Sequence, residues 1–357
     1  MSERKALIVG VTGTTGYTTA RHLLDQGWEV HGISRRPVDG LDGVVPIHVD
    51  VTDREAVATE LAGADFSHVF FCIWIRNETE DENRRVNSGI VRDVLDGLSP
   101  TRAAKHVAMV TGLKHYLGPF ESYAEAPADT PFREDQDRLD IANFYYDQED
   151  ELFAAAERDG FTWSVHRAHT VIGWAPTNSM NMGATLAAYG AICRELDRPF
   201  VFPGSPTQYE GVTDVTDARV LSEQLAWSAT DPNGANQALN IVNGDVFRWK
   251  RMWEVVAADL GVEPAPYPGE PTPLVEQMEG MEPVWEEIVA KYDLAPNPLP
   301  KVATWWHSDA DLGRPIETFA DMTKSRALGF QSFRRTDDTF RDTFAHLREA
   351  RIIPPKA

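Results

Sequence analysis

The chain has 357 residues, 42% of them hydrophobic, enough to bury a large core as one big domain or a domain plus a lobe. Its 34 Lys and Arg stand against 55 Asp and Glu, a formal charge of −21, which repels phosphate backbones and anionic lipid and so argues against nucleic-acid and membrane partners. No apolar run approaches the roughly 18 to 20 residues of a membrane span, and MSERKALIVG enters a strand with no room for a signal peptide, so the expected compartment is the cytoplasm.

The first half alternates short apolar β-rich runs with helical patterns, as in a parallel sheet with helices on both faces. Ala6 to Val9 reads as a strand, Gly16 to Gln26 as a helix, Glu29 to Ile33 and Val45 to Val49 as strands. His68 to Ile73 (HVFFCI) reads as a strand buried on both faces by its hydrophobicity. Arg84 to Leu98 reads as a helix, His106 to Val110 as a strand ending at TGLK, and a Pro-rich acidic loop follows. A helix then begins near Asn143, and Phe161 to His166 is a sixth strand. Beyond it, Thr185 to Leu196 and Thr216 to Ala229 read as helices, Ala238 to Val242 as a strand, and the chain after Trp249 as mostly helical. The fold class is thus α/β, a doubly wound Rossmann-type parallel sheet. Residues 1–170 plus about 207–243 form the nucleotide-binding core, and about 171–206 plus 244–357 a smaller, mostly helical substrate lobe. Cys72 and Cys193 lie in apolar runs and read as buried thiols, and no Cys or His spacing suits a metal.

Gly10, Gly13 and Gly16 follow the first strand and open a helix. Glycines there permit a tight turn and close approach of backbone to a pyrophosphate at the helix N-terminus, with Thr12, Thr14 and Thr15 around it. A nucleotide-free structural turn is the plain alternative. After the second strand, where an acid would hold the ribose of NAD, stand Ser34, Arg35 and Arg36. Two guanidinium groups and a hydroxyl suit the 2′-phosphate of NADP, and the alternative is a pair of solvent-facing arginines. Asp50 is placed to accept from an adenine amino group, with Val51 packing on the ring, while Asp53 suits a helix N-cap. The expected cofactor is NADPH.

In order along the chain, GVTGTTG, SRRP, DVTD, TGLKHYLGPFE, NFYYDQED, WSVHRAHTVIGWAP and NGDVFRWK resemble the progesterone 5β-reductase and iridoid synthase family, NADPH-dependent enone reductases of the short-chain dehydrogenase superfamily. The match runs from about Leu7 to Phe330, and the absence of the plant members' extended N-terminus resembles a bacterial-style relative. The resemblance implies hydride transfer to the β-carbon of an α,β-unsaturated carbonyl, with Tyr145 as donor to the substrate oxygen and Lys114 as its companion cation. The physics agrees: a donor preorganised where charge develops lowers the barrier by about 2.7–4 kcal/mol, and a nearby ammonium would bring a phenol of pKa near 10 closer to working pH. Tyr146, on another side of the helix, reads as packing.

The resemblance further places Thr111 and Gly112 at the nicotinamide ribose, Ile73 and Trp74 on the cofactor's other side, and Ile172, Ser179, Met180 and Asn181 in the nicotinamide loop. It places Trp74, Phe120, Asn181 and Phe330 in the substrate pocket, expected to be aromatic and apolar and to suit a terpenoid, steroid or simple cyclic enone. The family's usual HRP is HRAH here, which puts the turn after the sixth strand in doubt. Carbonyl reductases and sugar-nucleotide epimerases on this scaffold use Tyr-x-x-x-Lys, which no tyrosine here has, since Tyr145 leads to Glu149. An NADP-binding redox sensor without turnover is the reading from a different class, and a homodimer is a candidate assembly.

Overall fold

A computed structural model describes residues 4–35, 40–119, 122–123, 129–176 and 180–356. The first part runs β1 (Lys5–Val9), α1 (Thr14–Asp25), β2 (Glu29–Ser34), β3 (Val44–His48), α2 (Arg54–Glu60), β4 (His68–Phe71), α3 (Glu80–Leu98), β5 (His106–Gly112), α4 (Lys114–Leu117), α5 (Phe144–Asp159) and β6 (Thr162–Ala168). Next come β7 (Val171–Ile172), α6 (Met182–Glu195), α7 (Pro206–Glu210), β8 (Thr216–Asp217), α8 (Ala218–Ser228) and β9 (Gln237–Ile241). The remainder is helical: α9 (Trp249–Leu260), α10 (Leu274–Gln277), α11 (Glu282–Lys291), α12 (Leu299–Val302), α13 (Trp305–Leu312), α14 (Thr323–Ala327) and α15 (Thr336–Glu349).

Seven strands form one parallel sheet in the order β3-β2-β1-β4-β5-β6-β9. Because successive side chains of a strand point to opposite faces, a strand covered on both faces is buried at every position, as β4 is, its apolar run following the hydrogen-bonded His68. Leu7, Val9, Val69, Phe71 and Val107 meet Val91, Val94 and Leu152 of α3 and α5 on one face. Ala6, Ile8, Phe70 and Ala108 meet Ala20 and Leu23 of α1 and Val220, Leu221 and Leu225 of α8 on the other. The strand order reverses between β1 and β4, which opens a crevice at the carboxyl ends of the strands, the usual ligand position in such sheets.

A separate aromatic cluster holds the helical part together: Phe200 stacks on Trp253 with ring centroids 4.1 Å apart, and Tyr189, Phe202, Trp249 and Phe340 surround them. α6 is buried along almost its whole length because this cluster packs around it. Met322 and Phe330, expected in that lobe from the sequence, instead join the cluster on the sheet's α1/α8 face.

Candidate active site

The crevice is a cleft of about 330 Å³. Gly10, Thr12, Gly13, Thr14 and Thr15 form one wall. Gly10 has φ +91°, and a Cβ there would lie 2.7 Å from Ile73 Cβ, while a Cβ at Gly16 would lie 2.2 Å from the Gly10 carbonyl oxygen. Only glycine lets the turn lie this close to β4 and to the first turn of α1. Gly13 is the N-cap of α1 and supplies no side-chain hydrogen bond to the positive end of this helix.

Ser34 is buried at the end of β2. The Arg35 side chain is 77% exposed, its Nη1 3.9 Å from Asp50 Oδ2. Asp50 accepts from Thr52 N at 3.0 Å and Thr52 Oγ1 at 2.7 Å, and these bonds hold its carboxyl below the usual range. Val51 is tucked into the core with Ile33, Val49 and Val57. Asp53 caps α2 by accepting from Ala56 N. Arg36, Phe120 and Ser179 lie outside the described residues.

Lys114 and Tyr145 line the same cleft, with Ile73, Trp74, Thr111, Gly112 and Met180. Lys114 begins α4 immediately after β5, and Tyr145 lies in the first turn of α5. Asn143 fixes both backbones: its amide donates to the Lys114 carbonyl at 2.7 Å, and its side-chain oxygen accepts from Tyr145 N at 3.0 Å. Phe144 stacks on Trp74, and the Lys114 ammonium lies 5.0 Å from the Trp74 ring centroid and 5.2 Å from that of Phe144. A Cβ on Gly112 would lie 2.7 Å from the Ala168 carbonyl oxygen and 3.3 Å from the Tyr145 hydroxyl, so the absence of a side chain here makes room for the phenol. Burial first, and then the charge of Glu80, push the Tyr145 phenol up. The direction of this shift is opposite to the one expected from a neighbouring cation. Tyr146 points elsewhere, donating to the His115 carbonyl at 2.6 Å and accepting from Leu139 N at 3.0 Å.

Glu149, where other short-chain enzymes carry lysine, is buried against the back of this unit. Its carboxylate is 3.4 Å from His115 Nδ1 and 2.8 Å from Arg138 Nη2. Burial alone would raise its pKa, but His115, Arg167 and Arg138 together hold it below the usual range. Burial also lowers the pKa of His115. A lysine at this position would point at Arg138, not at the cleft.

Of the described residues expected at the nicotinamide and substrate end, three do not line the cleft. Ile172 is fully buried among the residues around α6. Asn181 is the N-cap of α6, accepting from Ala184 N and donating to the Gly173 carbonyl at 2.6 Å. Phe330 packs on Trp227, 5.6 Å between centroids, behind α8. Conversely, Leu113, Tyr123, His169, His307, Asp311 and Arg314 line the cleft without having been anticipated. Beside its aromatic and aliphatic lining the cleft carries an ion pair that was not expected: Arg314 pairs with Asp311, and both are nearly buried. HRAH was the one available signal near His169, since the departure from HRP falls on Ala168, the residue before it; α13 offered none.

Residues 47–354 match the PRISE-like Rossmann-fold domain. The chain belongs to this family. Across 99% of its length this PRISE-like chain is 38% identical to the 3-oxo-Delta(4,5)-steroid 5-beta-reductase of Arabidopsis thaliana, of which 94% is covered. It is also 38% identical to the (S)-8-oxocitronellyl enol synthase of Camptotheca acuminata and 36% to that of Catharanthus roseus, over 98% of this chain and 93% and 92% of those. Among solved structures, the UDP-glucose 4-epimerase of Thermus thermophilus in complex with NAD superposes with a TM-score of 0.67 at 17% identity, covering 97% of this chain and 99% of that one. The corresponding enzyme of Thermotoga maritima gives a TM-score of 0.67 at 14% identity, with the same coverage. These two share the fold of the PRISE-like chain. Among its described residues no group of His, Cys, Asp and Glu could hold a metal ion, and no helix is long and apolar enough to cross a membrane.

Proposed function

We propose that this chain is an NADPH-dependent reductase of the C=C bond of α,β-unsaturated carbonyl compounds, with Tyr145 and Lys114 as its catalytic residues. The observation that carries the reading is the meeting of these two residues in the cleft beside the glycine turn. One relative is named for a reduction at a Δ4,5 position beside a 3-oxo group, and others for making an enol. Both names fit chemistry that passes through an enolate.

The turn fits a dinucleotide: the crowding at Gly10 and Gly16 and the glycine cap of α1 suit a pyrophosphate. Arg35, with Arg36, would take the 2′-phosphate, and Thr111, Gly112, Ile73 and Met180 would flank the nicotinamide end. Bound there, NADPH supplies a hydride. Tyr145, neutral at working pH, donates to the carbonyl oxygen, and this bond strengthens as negative charge collects there. Lys114 adds positive potential. Trp74 and Tyr123 give the substrate apolar faces, while His169 and Arg314 suit an enone with a second polar group better than a wholly apolar steroid.

The test is NADPH oxidation by purified protein across cyclic, terpenoid and steroidal enones, with product analysis. The saturated ketone is expected. An allylic alcohol would establish carbonyl reduction instead, and no turnover with any enone would favour the NADP-binding sensor.

A further inference from the structure

β6 ends at Ala168, and His169 follows it into the cleft wall. Its side chain is 1% exposed, and its Nδ1 pairs with the carboxylate of Asp214, itself wholly buried. Both partners are fixed: His169 N donates to Thr216 Oγ1 at 3.0 Å, and Asp214 Oδ2 accepts from Ala320 N at 2.8 Å. Phe132 packs edge-on against the imidazole, ring centroids 6.0 Å apart. The remaining nitrogen, Nε2, is buried without any hydrogen-bond partner among the described residues.

A buried imidazole with one nitrogen tied to a carboxylate and the other unsatisfied leaves a polar group at a cost of about 1–3 kcal/mol, which a ligand in the cleft would relieve. An ionised carboxylate only accepts, so Nδ1 carries a hydrogen and Nε2 is the atom that takes or gives a proton. His169 follows directly on Ala168, whose carbonyl borders the same missing side chain at Gly112 as the Tyr145 hydroxyl. Resting on the enone reading above, we propose that His169 is a further catalytic residue, the acid that protonates the substrate α-carbon, with Asp214 as its positioning residue. Once hydride from NADPH has reached the β-carbon, the C=C π pair becomes part of an enolate whose oxygen Tyr145 holds. The α-carbon then forms a C–H bond with the proton of His169 Nε2. The imidazole returns to neutral, Asp214 stays ionised, and water entering as product leaves restores the proton. The enzyme therefore releases a ketone protonated on one face.

The test uses 2-methyl-2-cyclohexenone, whose α-carbon becomes a stereocentre, with wild type, His169→Gln and Asp214→Asn. Glutamine can still donate to Asp214 but has no transferable proton. Wild type should give one enantiomer of 2-methylcyclohexanone in at least tenfold excess. His169→Gln should still bind NADPH, but its product should fall to near 1:1, and Asp214→Asn should lie between. A second readout needs no hydride: in D₂O, wild type should exchange the α-hydrogen of 2-methylcyclohexanone at least tenfold faster than His169→Gln. A wild-type racemate, an unchanged enantiomeric ratio in His169→Gln, or equal exchange rates would overturn the proposal. Absence of NADPH oxidation with every enone would instead sink the enone reading, and this proposal with it.

Discussion

Tyr145 and Arg35 differ in exposure and so in what their loss should do. Tyr145 is buried and held neutral, so Tyr145→Phe removes a donor from a dry site without touching the cofactor turn. Its kcat should fall about 100-fold, in line with about 2.7–4 kcal/mol per such donor, while the Kd for NADPH by fluorescence titration stays within twofold. Since burial raises the phenol, its ionisation should give no basic limb in the kcat profile up to pH about 10; a decline between pH 8 and 9 that disappears in Tyr145→Phe would contradict this. Arg35 stands in solvent with only a 3.9 Å approach to Asp50. Arg35→Ala should raise the Kd for NADPH roughly tenfold and leave that for NADH unchanged, and equal weakening would refute the 2′-phosphate assignment.

Two elements carry charge logic of their own. Restoring the common spacing by Glu149→Lys would place an ammonium next to Arg138 and remove the carboxylate that His115 faces. A buried ammonium against the Arg138 guanidinium is a like-charge contact, so the variant should melt several degrees lower and gain no activity. Between β5, β6 and α8, His106 contacts Ser164 at 2.9 Å, Ser164 contacts His166 at 2.8 Å, and His166 contacts Gln224 at 2.7 Å. Burial lowers His106 to about 3 and His166 to about 4, and His68 is likewise lowered to about 4. The unfolded chain then binds protons that the folded one refuses, so stability is intact above pH about 6.5 and falls on acidification toward pH 4. Each group contributes up to about 1.4 kcal/mol per pH unit in that window. Urea midpoints at pH 7, 6 and 5 should drop steeply, and His166→Gln should reduce the slope. Strands such as β1 and β4 were legible because a doubly covered strand is mostly apolar. α3 starts at Glu80 rather than Arg84 because Thr79 caps it through Glu82 N, ahead of the apolar stripe. β8 takes Thr216 and Asp217 from an expected helix, and Asp217 then caps α8. In the site, Lys114 and Tyr145 were legible through motifs, whereas His169 and Asp214 meet only through tertiary packing, and Asn181 and Phe330 matched positions that this fold uses for capping and core.

At the scale of the whole molecule, a formal charge of −21 opposes compactness and the approach of an anionic cofactor. Salt screens such repulsion over about 10 Å at 0.1 M. The melting temperature should therefore rise by a few degrees between about 0.02 and 0.2 M NaCl, and a fall would mean that the surface ion pairs outweigh the net repulsion. The carboxamide of Asn143 has a consequence of another kind. It fastens the turn bearing the ammonium to the helix bearing the phenol, so the distance between the two is set locally, whatever amino acids join them. That connecting stretch can be lengthened, shortened or exchanged while the chemistry stays in register. One rigid reducing unit could thus be fitted with many different covers, each admitting a different guest.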